Sequence, residues 1–196
     1  MDRSYFDEQY RSDPDPWKFE SSWYEERKYA LTVAALPERR YRSAFEPGCS
    51  IGVLSSLLAG RCDRLLATDI VPGALERARR RVPVSDGVRF ELRPIPEEWP
   101  GGPFDLVVLS EIAYYFDGDT LARIVHQLVG TTTPGATVVA VHWRGPTNYP
   151  LSGEQAHGII GSDPSLGSIT HLVEPDFVLD VWRRDCAHRR GMRPLT

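Results

Sequence analysis

The apolar positions of the chain fall into short runs, separated by stretches with helical spacing. Runs at 43–45, 65–70, 88–92, 104–109 and 137–141 have the length of strands, and the run 104–109 is almost continuously apolar. Such continuous runs are typical of parallel strands buried on both faces, and alternation of strands with helices is typical of a parallel sheet. The pattern therefore predicts an α/β fold.

A helical segment is predicted ahead of the first strand. Ser22 and Glu25 have the spacing of a capping box, which predicts a helix over 22–36 that ends before a proline. Residues 1–20 are rich in aromatic and acidic residues and are expected to be irregular. Together, residues 1–40 are expected to form an N-terminal helical cap on the sheet.

Helix-end signals also occur between the strands. A helix over 53–58 is predicted after the first strand, and Pro72 suits the first turn of the next helix. Asp119 is expected to cap a helix through Val129, with Gly130 as the residue after its end. These helices supply the crossovers that parallel strands require.

The alternation changes after the fifth strand. Residues 144–168 are rich in Gly, Pro, Ser and Asn, contain one short predicted helix over 154–160, and are expected to form an acceptor-side insertion. Strands are predicted at 169–173 and 177–182, with a connection too short for a crossover, so this pair is expected to be antiparallel. The predicted fold is a Rossmann-like doubly wound sheet, mostly parallel, with a C-terminal antiparallel hairpin.

Length and composition limit the classes of function. A chain of 196 residues favours one domain, expected over 1–186 and followed by a disordered tail over 187–196. The net charge of −4 argues against binding to nucleic acid or to an anionic membrane. The three cysteines have neither disulfide nor metal-ligand spacing, so no metal is expected. No leader sequence or long apolar run is evident, and the expected location is the cytoplasm.

The most informative segment is Glu46-Pro47-Gly48-Cys49-Ser50-Ile51-Gly52, which lies between the first strand and the next helix, with Asp69 at the end of the second strand. Glycines let the backbone approach a ligand, and an acid in this place accepts hydrogen bonds from ribose hydroxyls. The Gly-x-Gly-x-x-Gly turn that binds a pyrophosphate is absent, which disfavours a nicotinamide-dependent oxidoreductase. The pattern favours a ligand with a ribose, a positive charge and no phosphate. S-adenosylmethionine (SAM) fits that description.

The order of these features resembles that of class I SAM-dependent methyltransferases over roughly residues 40–183. A narrower resemblance, to the nodulation-protein-S-like (NodS-like) N-methyltransferases, extends over nearly the whole chain. The resemblance implies conversion of SAM to S-adenosylhomocysteine (SAH), with N-methylation of the free amine on a deacetylated, glucosamine-type sugar. The segments that carry it are Asp15-Pro16-Trp17, Ser22-x-Tyr24-Glu25-x-x-Lys28-Tyr29, Ser110-Glu111-Ile112-Ala113-Tyr114-Tyr115, His142-Trp143-Arg144, Tyr149-Pro150-Leu151-Ser152-Gly153 and Glu174-Pro175-Asp176-Phe177.

The resemblance also implies a set of cofactor contacts. Gly48 and Gly52 would form a wall against the methionine portion of SAM, and Asp69 would bind the ribose. Alternatively, the glycines form a plain turn and Asp69 caps the helix at Pro72. Cys49 has no base beside it and is expected to pack as a small residue. The full set of expected cofactor-binding residues is Trp17, Tyr24, Lys28, Glu46, Gly48, Cys49, Gly52, Asp69, Ile70, Ile95, Ser110 and Glu111.

Methyl transfer takes place at the end of the fourth strand in this fold, which places Glu111 near the reaction. An alkyl amine must lose a proton before it can attack, and Glu111 or His142 is expected to accept that proton. A packed or capping histidine is the alternative for His142. Aromatic rings suit the C–H faces of sugars, although they also serve ordinary packing. The expected acceptor-binding residues are Tyr114, Tyr115, Trp143, Arg144, Tyr149 and His157.

Other functions stay open at this level. The Asn/Asp-Pro-Pro-Tyr motif of enzymes that methylate amides or base amines is absent, which disfavours those substrates. O-methylation of a small hydroxylated metabolite is the nearest alternative, because His142 would serve as a base there too. A non-catalytic SAM-binding protein is another. The sequence gives no indication of an oligomeric state.

Overall fold

The computed structural model describes residues 3–82 and 87–185. Its seven strands form one sheet in the order β3-β2-β1-β4-β5-β7-β6. The strands are Ala44–Pro47 (β1), Leu65–Asp69 (β2), Val88–Leu92 (β3), Phe104–Ser110 (β4), Thr132–Trp143 (β5), Leu166–Val173 (β6) and Phe177–Arg184 (β7). The helices are Arg3–Ser12 (α1), Trp23–Ala34 (α2), Val53–Ala59 (α3), Pro72–Arg81 (α4), Gly118–Thr131 (α5) and Gly153–Gly161 (α6), and a 3₁₀ turn covers Ala113–Tyr115.

The first five strands are parallel, and β7 inserts antiparallel between β5 and β6. The order reverses at β1, where β2 leads to one edge of the sheet and β4 to the other. This confirms the predicted doubly wound sheet with its C-terminal antiparallel hairpin. The carboxyl ends of β1, β2 and β4 lie side by side at the reversal, and open α/β sheets bind ligands at such points.

Alternation along β4 builds two apolar layers. Leu106 and Val108 pack with α2 and α3 on one face of the sheet, whereas Val107 and Leu109 pack with α5 and α6 on the other. All four side chains are almost completely buried. Burial on both faces explains why this strand has a continuous apolar run rather than an alternating one.

The N-terminal region differs from the prediction. Residues 3–12 form helix α1 instead of an irregular segment. Ser22 is the N-cap of α2, but its side chain makes no capping hydrogen bond, so the predicted capping box with Glu25 is wrong. Glu25 instead pairs with Lys28, which is completely buried. A buried ammonium needs a carboxylate partner more than an exposed helix end does, because water can satisfy the latter.

Helix α5 also begins and ends differently. Asp117, not Asp119, is its N-cap and accepts a hydrogen bond from the Thr120 amide at 2.7 Å. The helix continues through Gly130, which the sequence placed after its end, and β5 follows at once. The cost of one glycine in a helix is only about 1 kcal/mol, and the buried apolar face of α5 outweighs it. Helix α6 begins with a complete capping box between Ser152 and Gln155.

Within residues 3–82 and 87–185, the helices are all too short or too polar for a membrane span. The strands described belong to a single sheet, and the assignment of residues 1–186 to one domain stays a prediction. The tail predicted over 187–196 lies outside the described residues.

Candidate active site

A cavity of about 1050 Å³ opens at the carboxyl ends of β1, β2 and β4. Its floor comes from the turn after β1 and from the end of β4. Side chains from α1, from α2 and from residues 143–150 form the opposite walls. Most residues predicted to bind the cofactor or the acceptor line this one space, namely Trp17, Tyr24, Glu46, Gly48, Cys49, Asp69, Ile70, Ile95, Ser110, Glu111, Tyr114, Tyr115, Trp143 and Tyr149.

The two glycines of the turn have different roles. Gly48 has a φ of +71° and lines the cavity, and a Cβ atom there would lie 2.6 Å from Cδ1 of Ile112. Gly52, with a φ of +78°, is the N-cap of α3 and does not line the cavity. A Cβ atom at Gly52 would lie 2.8 Å from the Cβ of Ala78. Gly48 therefore lets Ile112 approach the turn at the wall of the cavity, whereas Gly52 lets α3 approach α4.

Asp69 holds the glycine turn closed from the neighbouring strand. Its carboxylate accepts hydrogen bonds from the amides of Ser50 at 2.8 Å and Val71 at 2.9 Å. Burial raises the pKa of Asp69, although these amide bonds oppose the rise. The hydroxyl of Tyr10 on α1 hydrogen-bonds the hydroxyl of Ser50. Asp69 is thus both a wall of the cavity and the anchor of the turn.

Glu46 is a buried carboxyl group at the end of β1. It accepts a hydrogen bond from Ser55 Oγ at 2.6 Å, and burial raises its pKa to about 8. The thiol pKa of the adjacent Cys49 is also raised, first by burial and then by Asp69. A buried thiol that resists ionisation is inert, which agrees with a packing role for Cys49.

Glu111 is the most heavily hydrogen-bonded side chain of the cavity. Its Oε1 accepts from Lys28 Nζ at 2.6 Å and from the Tyr24 hydroxyl at 3.4 Å. Its Oε2 accepts from the Tyr114 hydroxyl and from the Trp143 amide, the latter at 3.0 Å. Four donors match the four lone pairs of a carboxylate. The backbone of Glu111 has a φ of +53°, a conformation that a non-glycine residue keeps only where its surroundings enforce it.

Lys28 lies between two carboxylates. Its Nζ is 2.9 Å from Glu25 and 2.6 Å from Glu111, with no exposed side-chain surface. Lys28 therefore does not line the cavity, and its ammonium group pairs with Glu25 and Glu111 rather than with a carboxylate of a ligand. When both acids are ionised the three side chains carry one net negative charge, which favours a cation nearby. Burial raises the pKa of Glu25, and Lys28 opposes this rise.

Aromatic side chains cover the half of the cavity that faces Glu111. Tyr24 meets Trp143 edge to face at 5.1 Å between ring centroids. Tyr149 lies 4.9 Å from Tyr114 and 4.6 Å from Tyr115. Such walls combine flat apolar faces with hydroxyl groups, which suits a ring that carries both C–H and O–H groups.

Besides Gly52 and Lys28, three predicted residues are not brought to the cavity. His142 is completely buried, and its Nε2 accepts the Ala113 amide hydrogen at 2.9 Å, so this lone pair is not available to an acceptor. His157 lies behind His142, away from the cavity. Arg144 pairs with Glu154 at 2.6 Å and bonds a backbone carbonyl on the exposed side.

The sequence reasoning missed several wall residues on the N-terminal segment and α2. Phe6 and Tyr10 lie four residues apart on one face of α1, and Phe6 meets Tyr115 at 4.9 Å. Their helical spacing was a usable signal. Tyr29 and Phe19 also line the cavity, but they lack a distinctive spacing.

A family model described as Nodulation protein S (NodS) matches residues 6–142. The chain belongs to the nodulation protein S family. This confirms the resemblance noted in the sequence. Nodulation protein S from Sinorhizobium fredii is 29% identical over 127 residues, which are 64% of this chain and 59% of that protein. The chain thus spans about three fifths of the length of this curated relative.

Solved structures extend the comparison across the fold. A protein from Pseudomonas syringae proposed to be a methyltransferase is 41% identical, and the match covers 83% of this chain and 100% of that one, with a TM-score of 0.74. The N-methyltransferase NodS from Bradyrhizobium japonicum, solved in complex with SAH, is 21% identical and covers 92% of this chain and 97% of its own, with a TM-score of 0.80. The latter likeness shows the common fold.

Proposed function

We propose that this member of the nodulation protein S family is a SAM-dependent methyltransferase that acts on the amine of an amino sugar. One observation carries the proposal: a single cavity joins the glycine turn, with Glu46 and Asp69, to the Glu111 cluster and its aromatic walls. One half suits a nucleoside with a cationic amino-acid chain, and the other suits a polar ring with an amine. The SAH complex of the related N-methyltransferase supports the same assignment.

The residues of the first half fit SAM. Gly48 presents bare backbone to the cavity, Asp69 offers a carboxylate to ribose hydroxyls, and Glu46 offers one to an ammonium group. Ile70 and Ile95 line the cavity beyond Asp69 and suit an adenine ring. SAM supplies a methyl group on a sulfonium that already favours displacement, so positioning the acceptor accounts for most of the acceleration.

The Glu111 cluster is proposed to prepare the acceptor. Burial and the nearby Glu111 raise the pKa of Tyr114 well above its ordinary value, so its hydroxyl stays protonated and donates to Glu111. The hydroxyl oxygen of Tyr114 keeps a lone pair for the acceptor ammonium. The acceptor passes a proton to Tyr114 while Tyr114 passes its own to Glu111. The freed amine then forms the new N–C bond as the C–S bond breaks, and SAH leaves.

An amine is favoured over a hydroxyl because the cluster is negative. The net charge of Glu25, Lys28 and Glu111 attracts an ammonium group, and it would oppose formation of an alkoxide. The aromatic walls around Tyr149 suit the C–H faces of a pyranose ring.

Calorimetric titration with SAH, and with NAD as the control, tests the cofactor assignment. We expect micromolar SAH binding, no heat with NAD, and loss of SAH binding in Asp69→Ala. Glucosamine oligomers with free amines and their N-acetylated counterparts then test the acceptor by mass spectrometry. Methylation of the free-amine oligomers alone supports N-methylation. Methylation of both sets would indicate a hydroxyl acceptor, and methylation of neither would exclude the amino-sugar proposal.

A further inference from the structure

A line of hydrogen bonds runs through the protein behind the aromatic wall. His142 Nε2 accepts the Ala113 amide hydrogen at 2.9 Å, and His142 Nδ1 lies 2.9 Å from His157 Nε2. His157 Nδ1 lies 2.6 Å from a carboxylate oxygen of Asp180. The two rings and the carboxylate are buried. We name this line from Ala113 to Asp180 the imidazole chain.

The first link determines every proton in the imidazole chain. A backbone amide only donates, so His142 Nε2 carries no proton and His142 Nδ1 must carry one. That proton is donated to His157 Nε2, so the proton of His157 is on Nδ1, where it meets Asp180. Both rings are therefore neutral in this arrangement. Burial above all, and then the charge of Lys28, lower the pKa of His142 well below its ordinary value, in agreement with a neutral ring.

The imidazole chain is not a path for the acceptor's proton. Both nitrogens of His142 are engaged, neither lines the cavity, and the amide at Ala113 has no lone pair to accept a proton. The imidazole chain can therefore only hold in place the backbone at its Ala113 end.

The Ala113 end of the imidazole chain is the turn that carries Tyr114. Ala113 begins this turn two residues after Glu111, whose left-handed backbone persists only where the surroundings enforce it. The ring of Tyr114 packs against His142 at 4.9 Å, and its hydroxyl donates to Glu111. A fixed Ala113 amide therefore fixes the course of the backbone between Glu111 and Tyr114, the two residues of the proposed proton transfer.

Close helix packing makes the second link of the imidazole chain possible. Gly153 and His157 are one turn apart on the same face of α6. A Cβ atom at Gly153 would lie 2.8 Å from the Trp143 carbonyl oxygen and 3.1 Å from the Cβ of His142. The absence of a side chain at Gly153 thus lets α6 approach β5, which brings His157 to His142.

We propose that His157 and Asp180 are positioning residues for methyl transfer. Through His142 they fix the Ala113 amide and, with it, the placement of Tyr114 against Glu111. The link to methyl transfer rests on the proposed function, whereas the imidazole chain itself is tested without turnover.

Nitrogen-15 NMR of the histidine rings tests the imidazole chain in the unmodified protein. We expect both His142 and His157 as neutral Nδ1–H tautomers. In His157→Leu we expect the Ala113 amide signal to shift, because His142 loses the partner that holds its Nδ1–H. The control is His171→Ala, because His171 is an exposed residue that bonds the other oxygen of Asp180, at 2.7 Å, outside the chain. It should leave the Ala113 signal in place.

Kinetics on the glucosamine oligomers test the link to methyl transfer. We expect His157→Leu to lower kcat by roughly 10- to 100-fold with SAH affinity unchanged within about twofold, and His157→Gln to restore part of kcat. An Nε2–H tautomer at His142, an unmoved Ala113 signal in His157→Leu, or an equal loss of SAH affinity and kcat would overturn the proposal. If the unmodified protein transfers no methyl group although both tautomers are as expected, the proposed function fails and the imidazole chain stands.

Discussion

Lys28 on α2 donates to Glu111 at the end of β4 across 2.6 Å, and the pair joins the N-terminal segment to the centre of the sheet. Lys28 has no exposed side-chain surface, and Glu111 has little. A buried ion pair contributes little net stability, but removing one partner leaves the other charge uncompensated. The cavity wall that α2 provides therefore depends on this contact.

Lys28→Met should lower the free energy of unfolding by about 3–5 kcal/mol, because Glu25 and Glu111 lose their common cation. Urea unfolding measures the change. The matched control is Lys18→Met, which removes an exposed ion pair with Asp13 and should leave the midpoint nearly unchanged. Adding Glu25→Gln to Lys28→Met should recover part of the loss, and no recovery would contradict this account.

Tyr114→Phe removes only the hydroxyl that donates to Glu111. We expect kcat on glucosamine oligomers to fall by about 10- to 100-fold while SAH affinity stays the same, because the hydroxyl faces the acceptor half of the cavity. Tyr41→Phe deletes a buried hydroxyl that bonds Thr137 outside the cavity and serves as the control. Equal losses of kcat in the two variants would argue against proton transfer through Tyr114.

Glu46 should make both stability and SAH binding depend on pH. Its pKa is raised to about 8 in the folded protein from an ordinary 4.5, so between these values the unfolded state binds fewer protons. Stability of the ligand-free protein should then fall as pH rises towards 8, by up to about 1.4 kcal/mol per pH unit. Because an ionised Glu46 attracts the ammonium group of SAH, SAH affinity should rise over the same interval.

Glu46→Gln removes the titrating group and keeps its shape. We expect both pH trends to flatten in this variant relative to the unmodified protein, with urea unfolding and calorimetry as the measurements. If SAH affinity of Glu46→Gln kept the same pH dependence, the titrating group would lie elsewhere.

Gly52→Ala should destabilise the protein by about 1–3 kcal/mol. The new Cβ atom would meet Ala78 on α4 at 2.8 Å, and the residue has a positive φ that only glycine adopts at little cost. Gly73→Ala is the control, since a Cβ atom there meets nothing within 4 Å in the same pair of helices. Thermal unfolding compares the two variants, and equal melting temperatures would show that the α3–α4 contact tolerates the extra atom.

Local patterns predicted the existence of every described strand, because burial produces runs of consecutive apolar residues, but β5 and β6 begin five and three residues before their predicted starts. The bounds predicted for β3 are those of the structure, and β4 differs by one residue. Helix ends were less predictable. Asp117 and Asp119 are residues of the same type that both suit a cap, so the sequence does not distinguish them, and the structure has Asp117 in that place.

The half of the cavity that we propose for SAM was predictable for a similar reason. Gly48 and Asp69 lie at the ends of adjacent parallel strands, so the pairing of β1 with β2 brings both to one edge of the sheet. The acceptor half was harder, because it is built from α1, α2 and the segment after β5. These pieces meet only through contacts between residues far apart in the chain.

By itself, the sequence determined the order of the strands and of the helices that follow α1, the glycine turn and the acids at the carboxyl ends of β1 and β2. Each of these depends on neighbouring residues and on a period of two or 3.6. The tertiary structure alone decided which polar side chains are available to a ligand. It placed Lys28 between two carboxylates, and it engaged both ring nitrogens of His142 in hydrogen bonds within the protein. A buried polar group must find its partner wherever the fold supplies one, and that partner is not encoded in local spacing.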